Sequence, residues 1–118
     1  MNTETVISVF DIVGGPLCVS AEDGQLVHDK IAPFIRDHQP IVVSFTGITT
    51  LITAFLNVAI GQLYGEFTEE QIRELLTVRG LAPEDIDLLI RSNNNAKNYF
   101  KNRQAYDQAW KEEVGDEE

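Results

Sequence analysis

The chain has 118 residues, 43% of them hydrophobic, one cysteine and a formal net charge of −10. That length supports a single domain with one core. The acidic balance leaves no basic face for DNA, RNA or an anionic membrane. Cys18 has no partner for an internal disulfide, which fits a reducing compartment. Met1 to Phe10 lacks a basic segment followed by a long apolar one, and no run of about 18 apolar residues occurs, so a cytoplasmic protein is expected.

In chain order, Thr5 to Val13 is rich in β-branched residues and predicts a first strand. Gly14, Gly15 and Pro16 predict a turn, and Leu17 to Val19 a second strand folded back on the first as a hairpin. Ser20 to His38 predicts a helix with Ser20 as its N-cap, Glu22 and Asp23 in the first turn, and an apolar stripe of Val27, Ile31, Phe34 and Ile35. Gly24 weakens the start of that helix, and Pro33 predicts a kink or an early break.

Pro40 to Tyr64 contains no charged side chain, although charged residues make up 24% of the chain. Ile41 to Phe45 predicts a buried central strand, Thr46 to Thr53 a threonine-rich turn around Gly47, and Ala54 to Tyr64 a helix with Phe55, Val58, Ala59 and Leu63 on its apolar side. Thr53 is placed to cap that helix.

Thr68 and Gln71 have capping-box spacing, which predicts a short helix to about Leu75. Leu76 to Val78 fit a continued helix or a strand, with the strand preferred. Pro83, Glu84 and Asp85 predict the start of a last helix, with Ile86, Leu89, Ile90, Ala96 and Phe100 carrying its stripe to about Lys101. Asn93, Asn94 and Asn95 cut across the stripe as a surface patch or a local weakening. Tyr106 and Trp110, spaced i, i+4, suit either a short docked helix or an exposed partner anchor. Glu112 to Glu118 carries five acidic side chains in seven positions and predicts a solvated tail.

Chemistry-bearing constellations are sparse. Cys18 as a nucleophile would need a histidine, and His28 and His38 lie on the following helix; a small buried hydrophobe is the simpler reading. The two histidines lack metal-ligand spacing. Glu69-Glu70 and Glu84-Asp85 sit at helix starts, where the helix dipole explains them. Gly14-Gly15 lacks the Gly-Lys-Ser/Thr that a phosphate loop requires. No enzyme, cofactor or metal site is expected.

The segment VVSFTGITTLITAFLNVAIGQLY (Val42 to Tyr64), followed by FTEEQIRELLTVRGLAPEDIDLLIRSNNNAKNYF (Phe67 to Phe100), resembles a family of small bacterial STAS-like domains of unknown function. Members show a strand ending Asp-Phe-x-Gly-Val, a Ser-Ser-Phe turn, and a helix with Gly and Leu-Tyr near its end. Here the matching residues are Ser44-Phe45-Thr46-Gly47-Ile48, Thr53-Ala54-Phe55, and Gly61 with Leu63-Tyr64. The resemblance covers roughly Cys18 to Phe100. It implies an α/β fold with a small mixed β-sheet of about four strands and helices mainly on one face. It also implies a STAS-like domain over 1–102 with an acidic C-terminal tail over 103–118.

The related anti-sigma-factor antagonists carry a phosphorylatable serine within Asp-Ser-Ser-Gly after the central strand, and a GHKL-type ATPase kinase is their partner. That quartet falls on Ile52-Thr53-Ala54-Phe55, where only Thr53 keeps a hydroxyl. The resemblance therefore implies a non-catalytic regulatory interaction module. Its partner-binding residues would be Gly47, Thr49, Thr50, Thr53 and Phe55, with Thr53 the candidate phosphorylation site. Two other functional classes fit the composition: an acidic inhibitor that mimics nucleic acid to block a basic protein, and a small-ligand or nucleotide sensor using the Thr46 to Thr53 turn.

Overall fold

The computed structural model describes residues 5–114, with side chains described for 5–101. Three parallel strands form the main sheet in the order β1 (Val6–Ser8), β3 (Ile41–Ser44), β5 (Leu76–Arg79). A second sheet pairs β2 (Leu17–Cys18) with β4 (Thr50–Leu51), also in parallel. The expected single mixed sheet of about four strands is therefore replaced by three strands plus two, all parallel. The α/β class stands.

The difference begins at the N-terminus. Only Val6–Ser8 of the predicted first strand is extended, and Val9–Val13 is a short helix, α1. Ser8 caps it by accepting the Asp11 N–H at 3.2 Å, and Asp11 adds a negative charge to the first turn. Gly14, with φ of 80°, ends the helix; its N–H and that of Gly15 both donate to the Phe10 carbonyl. The Gly-Gly pair is thus a helix stop and not a hairpin turn. The chain enters β2 with no antiparallel partner, and β2 pairs forward with β4 instead, Leu17 opposite Thr50 and Cys18 opposite Leu51.

Helix α2 runs Ala21–Arg36, capped by Ser20, whose hydroxyl accepts the Asp23 N–H at 3.1 Å. It passes through Pro33 without the predicted break. Pro33 lies on the exposed side of the last turns, while Val27, Ile31, Ala32 and Ile35 are buried and hold the helix by packing. The helix closes on His38, which has a left-handed φ of 57°. The His38 N–H donates to the Ile35 carbonyl and the Gln39 N–H to the Phe34 carbonyl, the bond pair of a Schellman stop with histidine in the usual glycine position.

The uncharged middle of the sequence is the middle of the fold. Strand β3 is central, and Ile41, Val43 and Phe45 are buried. After β4, helix α3 (Thr53–Leu56) continues through a π-helical turn (Asn57–Gly61) into α4 (Leu63–Glu66). Phe55, Leu56, Ala59, Ile60 and Leu63 are all buried, because α2 covers one side of this segment and the last helix the other. Alternation along the main sheet places Ile7, Val43 and Val78 in one row against this core. The opposite row is Val6, Val42 and Thr77, where Val6 is exposed.

Helix α5 (Glu69–Leu75) carries the predicted capping box between Thr68 and Gln71. Leu76 to Arg79 is the preferred strand. Helix α6 begins at Pro83 as predicted and its backbone continues to Val114, past the expected end near Lys101. Asn93 to Asn95 do not interrupt it. The side chains of Tyr106 and Trp110 lie outside the described residues, as does the end of the acidic tail. Among the described residues, no helix is long and apolar enough to cross a membrane.

Gly24 sits where α2 crosses α3 and the π turn. A Cβ there would lie 2.7 Å from the Phe55 carbonyl oxygen and 3.0 Å from Val58 Cβ. Helix propensity alone favours alanine by about 1 kcal/mol, but the backbone contact reverses the sign. Gly24→Ala is expected to destabilise the domain by about 1–3 kcal/mol in chemical denaturation. His38→Gly should act oppositely, raising stability by about 0.5–1 kcal/mol by relieving the left-handed residue. An unchanged midpoint in either variant would contradict the corresponding packing or cap assignment.

Candidate functional site

The two-stranded sheet forms an outward face beside the turn singled out from the sequence. Cys18 and Leu51 point inward and are buried. By alternation Leu17, Val19, Thr50 and Ile52 point outward, and all four are exposed. Leu17 is 50% exposed, Val19 44% and Ile52 38%, a concentration of apolar surface on a strongly acidic chain. Phe10, 38% exposed, extends it: Gly47 has φ of 90°, and a Cβ there would stand 3.0 Å from the Phe10 ring.

Of the five residues expected at a partner surface, Gly47, Thr49, Thr50 and Thr53 are exposed along this edge. Phe55 is not on it: the ring is fully buried in the core beneath. Thr53 is not the helix cap. Ile52 holds that position without a side-chain bond, and Thr53 is the first helical residue with its side chain in solvent. The cap signal misplaced the start by one residue, because the Ile52 N–H is drawn to the Cys18 carbonyl at 3.1 Å. Phe10, Leu17, Val19 and Ile52 were missed because the parallel register of β2 and β4 had no local sequence signal.

The turn hydroxyls serve the turn. Thr49 Oγ1 donates to the Pro16 carbonyl at 3.4 Å, and that same carbonyl accepts the Thr49 and Thr50 N–H groups. Ser44 Oγ donates to Thr46 Oγ1 at 3.1 Å and accepts the Thr46 N–H at 3.3 Å. These bonds tie the turn to the strand before it and to the end of the Gly-Gly-Pro segment.

Several other polar side chains bond within or between helices. Buried His28 bonds Glu66 of α4 through Nε2 and Asp29 through Nδ1 at 3.1 Å. Gln25 and then His28 hold the Asp29 carboxyl below its ordinary range by hydrogen bonding. Lys97 of α6 meets Glu69 at 2.9 Å, and Arg73 meets the same oxygen at 3.0 Å, so the Glu69 carboxyl is also lowered, mainly by Lys97. No group of three metal-ligating side chains occurs among the described residues.

Cys18 is fully buried, and its thiol is pushed up to about 11, first by burial and then by the negative charge of Asp23. His28 is engaged by carboxylates instead of by the thiol. Cys18 therefore behaves as a core residue. An unfolded thiol ionises near pH 8.5, roughly the ordinary value. The contribution of the neutral buried thiol is complete below that pH and is lost as pH rises through the folded value. Stability should fall by about 2–3 kcal/mol more in the native chain than in Cys18→Ala between about pH 8 and pH 11. Equal slopes in urea titrations of the two proteins would contradict this burial.

A family model described as a STAS-like domain of unknown function (DUF4325) matches residues 23–85, from the first turn of α2 to the first turn of α6. That span is more than half of the chain and contains β3, the threonine turn, β4, the π turn and β5. No curated protein and no solved structure matches. With its central strand, turn and following helix all inside the matched span, the chain belongs to the family of STAS-like domains of unknown function.

Proposed function

We propose that the protein is a non-catalytic regulatory interaction module of the cytoplasm. It docks a signalling ATPase of the GHKL kinase type through the outward face of β2 and β4 and the start of α3. The observation that carries this reading is the clustering of Leu17, Val19 and Ile52, exposed and apolar, beside Thr50 and Thr53. Apolar side chains in one exposed patch, with hydroxyls at its edge, suit a protein contact. Its Thr50 to Thr53 portion, which follows the central strand, corresponds to the contact region that the resemblance to anti-sigma-factor antagonists implies.

In this reading Thr53 is the control point. It is exposed, at the first helical position, and next to Ile52. A phosphate there would add nearly two negative charges at the edge of an apolar contact, which opposes docking through desolvation. The missing side chain at Gly47 leaves room for the Phe10 ring beside the turn, which adds an aromatic edge to the patch.

The test is affinity capture from native lysate with the unmodified chain, Ile52→Arg and Thr53→Asp, with bound proteins identified by mass spectrometry and each fold checked by circular dichroism. A GHKL-type ATPase retained by the native chain, and reduced about tenfold or more by both variants, is the expected result. The captured complex should survive a rise from about 50 to about 200 mM salt, because its contact is mainly apolar. The same proteins retained equally by all three chains would overturn the surface assignment. Collapse of binding with salt would favour an acidic inhibitor instead.

A further inference from the structure

The three consecutive asparagines acquire a context in the structure. Helix α6 packs across the π turn, and Ser92, fully buried, donates its hydroxyl to Asn57 Oδ1 at 2.8 Å. That bond occupies the Asn57 carbonyl and leaves its Nδ2 as the outward donor. Gln62 is oriented in the opposite sense. Its Nε2 donates to the Val58 carbonyl and to Gln25 Oε1, both at 3.0 Å, so Oε1 is the acceptor it has left. Asn95 adds a third carboxamide on the facing helix.

These three side chains border a cleft of about 420 Å³, with Asn57 and Gln62 on one side and Asn95, Tyr99 and Phe100 of α6 on the other. The Phe100 ring braces Tyr99 edge to face, with centroids 5.0 Å apart and planes at 82°, and Tyr99 remains 59% exposed. Gly61 and Ala96 lie between the two helices, where a Cβ on Gly61 would come within 3.4 Å of Ala96 Cβ. The volume is in the range of small-molecule sites, roughly 300–1,000 Å³. The π turn that positions Asn57 is a helix distortion often found at functional sites.

We propose that this cleft binds the purine base of a nucleoside or nucleotide. Among the described residues no charged side chain lines the cleft, which suits a neutral planar group. Asn57 and Gln62 between them leave a donor and an acceptor at the cleft, the two functions that one asparagine or glutamine carboxamide presents to the adjacent acceptor and donor on the edge of adenine. The exposed Tyr99 ring supplies a stacking platform, which is worth about a tenfold or larger change in affinity for a base. The strong negative charge of the chain excludes a polymeric nucleic acid as the source. The site shares no residue with the proposed partner surface and stands independently of it.

The full chain, labelled with ¹⁵N, is titrated with adenosine and separately with AMP. Side-chain amide signals of Asn57 and Asn95 are followed. Saturable shifts with adenosine or AMP are expected, weakened about tenfold by Tyr99→Ala and to a similar degree by Asn95→Ala. Both positions are exposed, so neither change removes core packing, and the remaining backbone spectrum reports the fold of each variant. AMP binding as tight as or tighter than adenosine assigns a nucleotide, whereas weaker AMP binding assigns the free nucleoside. The proposal is overturned if neither compound shifts these amides up to about 10 mM. It is equally overturned if the affinity is the same in both variants as in the native chain.

Discussion

The close crossing of α2 over α3 and the π turn, made possible by the missing side chain at Gly24, governs how the other elements can sit. With the two backbones this close, Val27 and Ile31 reach the same core as Phe55, Ala59 and Ile60. The apolar segment after the central strand is then enclosed between α2 and α6. Its burial draws β3 into the middle of the sheet and leaves β1 and β5 as flanks. Side-chain bonds across this assembly are few but connect different helices: His28 with Glu66, Ser92 with Asn57, and Lys97 with Glu69. They specify relative rotation of helices whose apolar contacts alone would tolerate small slips.

Much of this was legible because it is local. The Ser20 cap, the Thr68 and Gln71 box, and Pro83 at a helix start are short-range signals with a direct backbone reason. The uncharged stretch from Pro40 to Tyr64 marked the centre of the fold, since charged side chains are almost never fully buried and its strand and helix supply much of the core. Two errors came from competing local signals. In Val9 to Val13, β-branched residues favoured a strand, yet the Ser8 cap and the Gly14 stop fit a single helical stretch. At Pro33 the lost hydrogen bond was weighed without the tertiary packing that outweighs it.

The surface was less legible than the core for a different reason. Which faces of Leu17-Cys18-Val19 and Thr50-Leu51-Ile52 meet water depends on their pairing, and the pairing is between segments far apart in the chain. Phe55 illustrates the converse: its place in a family turn suggested a contact residue, and the fold uses it as a central core ring. The asparagine run carried no readable chemistry until the π turn supplied Asn57 and Gln62 opposite it. Membership in a family without an established activity leaves the sites to be read from such juxtapositions.

All strand pairs in the structure are parallel, and none joins neighbouring strands of the chain. Among the described residues the growing polypeptide accordingly has no hairpin with which to nucleate a sheet. Val6–Ser8 must wait for Ile41–Ser44, and Ile41–Ser44 in turn for Leu76–Arg79. Helix α2 lies in the stretch of chain between β1 and β3, so its packing shortens the separation that those two strands have to close. Chain closure over such separations makes this a slow-folding topology for its size. During synthesis, the apolar middle segment emerges from the ribosome ahead of the helix that completes its cover, so the interval before α6 appears is when this protein is most exposed to misassociation.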